Sequence, residues 1–327
     1  MKIFNKYNRK GFVVVFALCA IISLGVILFI FNNNSRASLL NGERFKNSQQ
    51  ALFCAQSGIN IAVACIKNNP NNPEENINKL SSQENVFDLE KGECSIKLIG
   101  ESSKININLL VNKNRSVNRS RTDQLLRLID LLNQKRDNPS ISYGLAASII
   151  DWIDKDDNVT SLSFVSGENS GAESDYYNQL IPSYTPGNSP FTSLEELLLV
   201  KYMTPEIFEC IRDYLTVYGK GKININTAPR LVIETLSEQM NPGRLAQLII
   251  NRRESAPFES ITQLQDVHGM TESIYQTIKQ MVTVDAKDRY FTVISQGSVN
   301  NCIRKIYAIL NKDTKSKRIK LVWYKEL

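Results

Sequence analysis

Residues 9–31 read RKGFVVVFALCAIISLGVILFIF, and the twenty residues 12–31 contain no charged side chain. An α-helix of this length spans about 30 Å, which is the thickness of the hydrocarbon core of a bilayer. The cations precede the apolar run. This predicts that residues 1–11 stay in the cytoplasm and that the chain beyond residue 31 lies across the membrane. We therefore expect a transmembrane helix over 12–31.

The junction at Gly11 and Phe12 differs from an ordinary secretory signal, in which a shorter apolar core precedes a small-x-small cleavage site. A basic leader, a glycine and a phenylalanine that opens an apolar helix resemble the leader of type IV pilins and pseudopilins. The resemblance implies that a prepilin peptidase cleaves between Gly11 and Phe12 and methylates Phe12. A simple signal anchor with a chance Lys-Gly-Phe is the alternative.

The fifth residue after the expected cleavage is Phe16, whereas most pilins carry glutamate there. That glutamate is thought to pair with the N-terminal amine of a neighbouring subunit. The K subunits of type II secretion systems resemble this chain in lacking it, and a subunit at the tip of a fibre has no subunit above it to pair with. The departure therefore favours a tip subunit over a generic pilin.

Apolar residues return at helical spacing beyond residue 36, for example at Leu52, Ala55, Ile59 and Ala62. The spacing predicts that the helix continues over 32–67 on the periplasmic side of the membrane. Asn69 and Pro70 follow, and proline is a strong helix stop.

Alternating apolar and polar residues predict strands near both ends of the remaining chain, over 94–99, 104–108, 290–295, 302–310 and 318–324. The sequence between them has helical patterns. We expect one small antiparallel, pilin-like sheet built from 68–110 and 287–327, interrupted by an α-helical insertion over 111–286. The predicted fold class is α+β, with a long N-terminal transmembrane helix, and a large helical insertion in the sheet resembles the K subunits.

The insertion contains internal repeats. FTSLEELLLVKYMTPEI at 191–207 aligns without a gap with FESITQLQDVHGMTESI at 258–274. Each copy predicts a helix capped by Ser193 or Ser260, a tight turn and a second helix. A separate echo, KININ, occurs at 104–108 and 222–226.

These hairpins resemble helix-hairpin-helix modules, in which a glycine turn brings backbone N–H groups to a DNA phosphate. The second copy has the glycine, at Gly269, but the first has Tyr202 in its place. The net charge is +6, and it falls to +2 without the four cations of the first ten residues. The resemblance makes a membrane-anchored DNA-binding protein for DNA uptake the alternative function. Because the first turn lacks its glycine and the charge is low, no nucleic acid is expected as a partner.

Composition argues against several classes of enzyme. The one histidine, His268, makes a histidine metal site or a histidine-activated nucleophile improbable. The six cysteines form no C-x-x-C pair, and Cys94 and Cys302 either pair in an oxidising compartment or stay as buried thiols. We find no Ser-His-Asp set and no glycine-rich phosphate loop, so no catalytic residue is expected. An anchored carboxylate hydrolase is the third hypothesis.

The densest group of acids is DWIDKDDN at 151–158, followed by GAESDYY at 171–177. Such oxygens are the ligands that Ca²⁺ prefers, although the spacing is not that of an EF-hand. These stretches, together with YTPGN at 184–188 and NINTA at 224–228, resemble the K subunits of type II secretion systems in order and spacing. The resemblance implies a calcium ion bound by the acidic loops, for which the candidate ligands are Asp154, Asp156, Asp157, Glu173 and Asp175. A solvated loop whose acids cap helices is the alternative.

The same resemblance implies a function in protein secretion rather than catalysis. It implies a single-pass inner-membrane minor pseudopilin with its C-terminal domain in the periplasm, at the tip of the type II secretion pseudopilus. There it would initiate assembly with other minor pseudopilins, of the I, J and H types, and support protein export across the outer membrane. Secreted cargo is a further partner that such a position allows.

Overall fold

The computed structural model describes residues 8–68, 85–240, 243–284, 289–313 and 318–326, with side chains from Phe12 onward. One helix, α1 (Asn8–Asn68), runs for 61 residues and confirms the predicted long helix. Its apolar residues 12–31 are exposed, and its burial begins near Ala51. The predicted leader and the stop at Asn69 and Pro70 lie mostly or wholly outside the described residues.

Nine strands occur among the described residues. They are β1 (Val86–Leu89), β2 (Gly92–Gly100), β3 (Ile105–Asn106), β4 (Leu215–Thr216), β5 (Ile223–Asn224), β6 (Val282–Thr283), β7 (Tyr290–Val299), β8 (Cys302–Lys312) and β9 (Ile319–Glu326). Five of them form the antiparallel sheet β1-β2-β7-β8-β9. The other α-helices of the described residues, in chain order, are α2 (Arg119–Asn133), α3 (Gly144–Ile153), α4 (Ser174–Tyr177), α5 (Pro205–Ile211), α6 (Arg230–Glu234), α7 (Arg244–Ser255) and α8 (Glu272–Ile278).

The end of α1 packs against this sheet through small residues. Ala55 and Ala62 are fully buried, as their helical spacing predicted, and the Ser295 hydroxyl on β7 donates to the Ala55 carbonyl at 2.7 Å. A Cβ atom on Gly297 would lie 1.9 Å from the Ala51 carbonyl oxygen, so only glycine permits this close approach. The helix and the sheet therefore share one hydrophobic core.

The prediction that residues 104–108 form a strand of the main sheet is wrong. A short 3-10 turn, Glu101–Ser103, follows β2 and redirects the chain. The extended residues after it form β3, which pairs in parallel with β4 outside the main sheet. Alternation of apolar and polar residues indicates an extended, half-buried segment but does not identify its partner. We call residues 101–284, which lie between β2 and β7, the head.

All six cysteines are free thiols. Cys94 lies on β2 and Cys302 on β8, and β7 separates these two strands in the sheet. The pairing of Cys94 with Cys302 that the sequence left open is therefore absent here. Burial raises the pKa of the Cys94 thiol to about 11, and the nearby Cys54 adds to the effect.

The two predicted hairpins are present and share their backbone details. Ser193 and Ser260 each form a capping box, with Glu196 and Gln263 respectively. In the two turns, Tyr202 and Gly269 occupy matching positions with φ angles of 68° and 88°. The first hairpin therefore keeps the left-handed turn that usually favours glycine, although a tyrosine occupies it.

The KININ echo belongs to the same repeat as the hairpins. The Asn108 side chain accepts from the Phe191 N–H at 2.8 Å and donates to the Phe191 carbonyl at 2.9 Å. Asn226 makes the same pair of bonds with Phe258, again at 2.8 and 2.9 Å. In each half of the head, the second asparagine of KININ thus holds the phenylalanine that begins the hairpin.

Helices α3 and α7 complete the correspondence. They share the pattern L-A-x-x-I-I, with Leu145 matching Leu245 and Ile149 matching Ile249, all buried. The Trp152 ring at the end of α3 stacks on Phe191 at 6.0 Å between ring centroids. In the second half, the Arg252 guanidinium lies 5.5 Å from the ring centroid of Phe258. The head therefore consists of two copies of one unit, a short strand, a helix and a hairpin, with insertions of different length.

Candidate metal centre

Three carboxylates converge at the end of α3. Asp151 lies in its last turn, Asp154 caps its C-terminus, and Glu173 precedes α4. One carboxylate oxygen from each lies within 4.8 Å of those of the other two. Their exposed fractions are 0%, 8% and 2%. We call these three residues the acidic cluster.

Most oxygens of the acidic cluster have no hydrogen-bond partner. Asp151 Oδ1 accepts from the Thr160 N–H at 3.0 Å, but Asp151 Oδ2, Asp154 Oδ1 and both oxygens of Glu173 are buried and unpaired among the described residues. Burying carboxylate oxygens without donors is costly, and a bound cation removes that cost. Because these are hard oxygen donors, the cluster fits Ca²⁺ better than a softer metal.

The pKa values of all three acids are raised. Burial is the largest cause for each, and it raises the pKa of Asp151 to about 6, of Asp154 to about 7 and of Glu173 to about 8. The neighbouring carboxylates add to each shift. Without a cation, the site therefore favours a protonated Glu173 and a partly protonated Asp154 near neutral pH, whereas Asp151 is protonated only at lower pH.

The chain closes tightly around the cluster. A Cβ atom on Gly171 would lie 2.1 Å from Asp151 Oδ2, so glycine is required where the second acidic stretch passes α3. The Lys201 backbone N–H, in the turn of the first hairpin, donates to the Tyr177 hydroxyl at 3.3 Å. Tyr177 in turn packs edge-on against Trp152, with ring centroids 5.5 Å apart. The hairpin and an aromatic wall thus hold both acidic stretches in place.

The structure brings together two of the five predicted ligands, Asp154 and Glu173, and adds Asp151, which was not among them. Asp151 stands three residues before Asp154, so both lie at the same end of one helix, and this spacing could have identified it. The ligand roles of all five candidates stay predictions.

The other three predicted ligands lie outside the cluster. Asp156 is exposed and accepts from the Asn158 backbone N–H at 3.0 Å. Asp157 accepts from the Ser174 N–H at 3.2 Å and so ties the two acidic stretches together. Asp175 is exposed in the first turn of α4.

The second copy of the repeated unit differs at the matching positions. The residues that match Asp151 and Asp154 are Asn251 and Glu254, both exposed. The Arg253 guanidinium lies nearby and donates to the carbonyls of Ile225 and Ala228, each at 2.8 Å. Within the part of the chain that the structure describes, only the first unit therefore carries buried carboxylates suited to a metal.

Two family models described as "Type II secretion system (T2SS), protein K" match residues 103–220 and 223–285. Their boundary falls at the start of the second KININ, where the second copy of the repeated unit begins. Type II secretion system protein K of Pseudomonas aeruginosa is 29% identical over 217 residues, which is 64% of this chain. The alignment spans 58% of the length of that relative.

The fold also matches a solved structure, the GspK–GspI–GspJ complex of the type 2 secretion system from enterotoxigenic Escherichia coli. The match has a TM-score of 0.63 and 20% sequence identity, and it covers 88% of this chain and 99% of the other. It confirms the predicted α+β fold with a helical insertion in the sheet.

The helix from Phe12 onward is long and apolar enough to cross a membrane, with a mean hydropathy of 3.2 in its most apolar window. For a relative of a secretion-system component, this indicates a membrane-anchored protein. Together, the two family models cover residues 103–285 apart from residues 221 and 222, which is more than half of the chain. The chain belongs to the protein K family of the type II secretion system.

Proposed function

We propose that this chain is a minor pseudopilin at the tip of the type II secretion pseudopilus, where it initiates assembly and supports protein export. The observation that carries the proposal is α1. Its first part exposes apolar side chains over the length of a bilayer, while its last part packs on the antiparallel sheet. Such a helix connects the part of the subunit held in the membrane to the part that would join the fibre, without a flexible linker.

The position at the tip follows from the head and from Phe16. The head, residues 101–284, is inserted between two neighbouring strands of the sheet, β2 and β7, so it adds bulk that a subunit stacked above would have to avoid. Phe16 offers no carboxylate to the N-terminal amine of a neighbour. Both features fit a subunit with neighbours below it only. The head would then lie in the periplasm, within reach of secreted cargo.

The proposal predicts a complex with other minor pseudopilins. We expect the chain from Arg36 onward to co-elute with the I- and J-type minor pseudopilins of the same organism in size-exclusion chromatography. The H-type subunit is a further expected partner. A matched control is the head alone, residues 101–284, which lacks α1 and the sheet. Binding by the head alone, with none by the longer chain, would contradict assembly through α1.

Processing by a prepilin peptidase is a second part of the proposal. With the peptidase co-expressed, we expect loss of residues 1–11 and methylation of Phe12, read from the intact mass. Gly11→Val should block cleavage, because the peptidase is expected to require the small residue before the cut. Gly25→Val, in the same helix with open space around it, is the control. Cleavage at any other site would contradict this assignment.

We further propose that the acidic cluster holds a structural calcium ion. Asp151, Asp154 and Glu173 would supply carboxylate oxygens, and Asp156, Asp157 and Asp175 are the additional acids predicted from the sequence. The cation would balance the buried negative charge and cross-link the end of α3 to the start of α4. The support for this is the set of buried oxygens without partners.

A further inference from the structure

A groove beside the acidic cluster carries an excess of positive charge. It encloses a cavity of about 570 Å³ between the loop after β3, the start of α2 and the end of α3. Four cations line it, Lys113, Arg115, Arg121 and Lys155. Asp154 is the one acid among the described residues of its wall. We call this cavity with its four cations the basic groove.

The four cations lack acidic partners. Among the described residues, none of them forms an ion pair, although pairs such as Arg119 with Asp123 occur on the same helix. Unpaired lysines and arginines usually spread over a surface, because like charges that face each other raise the free energy. Four unpaired cations around one concave site produce a positive potential, which an anionic ligand would neutralise.

Arg121 is the residue that distinguishes this groove from an ordinary solvated surface. Its side chain is half-buried, and the guanidinium donates to Gln124 Oε1 at 2.9 Å rather than to a carboxylate. Burial lowers the pKa of Arg121, which means that its environment disfavours the charge it carries. An anion placed in the groove would relieve that cost.

The turn that carries Lys113 and Arg115 is held in one conformation. The Asn112 N–H donates to the Ser116 carbonyl at 2.8 Å, and the Arg115 N–H donates to the Asn112 carbonyl at 2.9 Å. Arg115 has a φ of 69°, an uncommon value for a residue other than glycine. The backbone that carries the two exposed cations is thus already placed before a ligand binds, which lowers the entropy cost of ordering this turn.

We propose that the basic groove binds an acidic segment of a partner protein, rich in aspartate and glutamate. The inference goes beyond the proposed function, which assigns no protein-binding site to this groove. A short protein segment fits better than a nucleic acid, because the chain without its first ten residues carries only +2, which is little for a protein that binds the DNA backbone. A cation in the acidic cluster would neutralise Asp154 and favour the acidic ligand.

The test uses the full chain in detergent and a dye-labelled polyglutamate peptide, with binding followed by fluorescence anisotropy. Removing two cations, in Lys113→Gln/Arg115→Gln, should weaken binding about tenfold or more. The matched control is Lys135→Gln/Arg136→Gln, which removes two exposed charges beyond the far end of α2 and should change affinity less than about twofold. An equal loss in both variants, or no binding by the unmodified chain, would overturn the proposal.

Two further arms distinguish an acidic protein ligand from a nucleic acid, and the groove from the metal site. Single-stranded DNA of matched charge should bind more weakly than the peptide, and tighter DNA binding that the groove variant abolishes would replace the acidic protein by a nucleic acid. The groove variant should keep any rise in melting temperature that calcium produces. Peptide binding that is equal in calcium and in chelator would support the groove and count against the metal site.

Discussion

In the absence of metal, we expect the free energy of unfolding to fall as the pH rises from about 5 to about 8. Asp151, Asp154 and Glu173 have raised pKa values of about 6, 7 and 8 in the folded protein. In the unfolded chain they would titrate near 4. Below about pH 4 all three acids are protonated in both the folded and the unfolded state, so they do not lower the free energy of unfolding. Above about pH 4 the acids lose their protons in the unfolded state first. Ionisation therefore favours unfolding until the pH exceeds the pKa values of the folded protein.

The expected effect is large for a single site. For Asp154 alone, a shift from 3.8 to about 7 corresponds to a loss on the order of 4 kcal/mol. The three shifts are coupled, so they do not add. Saturating calcium should remove the dependence, because a bound cation favours the ionised acids. Calcium at about 1,000 times its dissociation constant would itself stabilise the folded state by roughly 4 kcal/mol.

The measurement is denaturant unfolding of the chain from Arg36 onward at several pH values, in calcium and in chelator. Asp154→Asn/Glu173→Gln should unfold with a smaller pH dependence that ends near pH 6, where the remaining Asp151 titrates, and should not respond to calcium. Asp137→Asn/Glu168→Gln, a pair of exposed acids, should behave as the unmodified chain. A metal-free protein whose stability does not change over this range would contradict the burial argument.

A second set of variants tests the remaining predicted ligands. Asp156→Asn/Asp157→Asn and Asp175→Asn change acids that lie outside the cluster in the structure. If the calcium response survives in both, the ion is held by the cluster and other oxygens of the chain. If either variant loses it, those residues bind the ion as the sequence predicted.

The sequence was informative wherever a local physical pattern sets the structure. The thickness of a bilayer fixes the length of the apolar run, so residues 12–31 were recognisable, and helical spacing extended α1 to its end. The alternation of apolar and polar residues is also a local pattern, and it located parts of β2, β7, β8 and β9. It misplaced residues 104–108, because the pattern of a half-buried strand is the same whichever strand is its partner.

The duplication of the head was only partly visible in the sequence. The hairpins begin at 191 and 258, the KININ segments at 104 and 222, and the shared helix pattern at 145 and 245, so the spacing between copies differs for each part. Insertions of different length separate the parts of each unit, and no single offset reveals the repeat. The hydrogen bonds of Asn108 and Asn226 with their phenylalanines show that the parts belong together. Contacts so distant in sequence leave no periodic signal.

The other large effect concerns a buried ion pair within the head, at its junction with the sheet. Glu101 Oε1 accepts from Lys104 Nζ at 2.6 Å and from the Thr292 hydroxyl of β7 at 2.5 Å. Glu101 Oε2 accepts from the Thr216 hydroxyl of β4. All four side chains are buried, and the most exposed of them, Thr292, is only 8% exposed. One carboxylate thus joins a strand of the sheet to a strand of the head.

Lys104→Met should lower the free energy of unfolding by roughly 3–5 kcal/mol, because it leaves the Glu101 carboxylate buried without its counter-ion. Glu101→Leu should cost a similar amount by leaving the ammonium group unpaired. The double variant Glu101→Leu/Lys104→Met should lose much less than the sum, since no uncompensated charge remains. Denaturant unfolding at pH 7 completes the double-mutant cycle, and additive losses would contradict a coupled pair.

The same cycle shows whether this contact fixes the head on the sheet. If it does, the amide hydrogens of β4 and of the adjoining end of β7 should exchange faster in Lys104→Met than in the unmodified chain, while those of α7, deep in the second unit, should keep their rates. Uniformly faster exchange would indicate global destabilisation instead. Protection that recovers in the double variant would show that the unpaired charge, and not the lost bond to Thr292, loosens the junction between head and sheet.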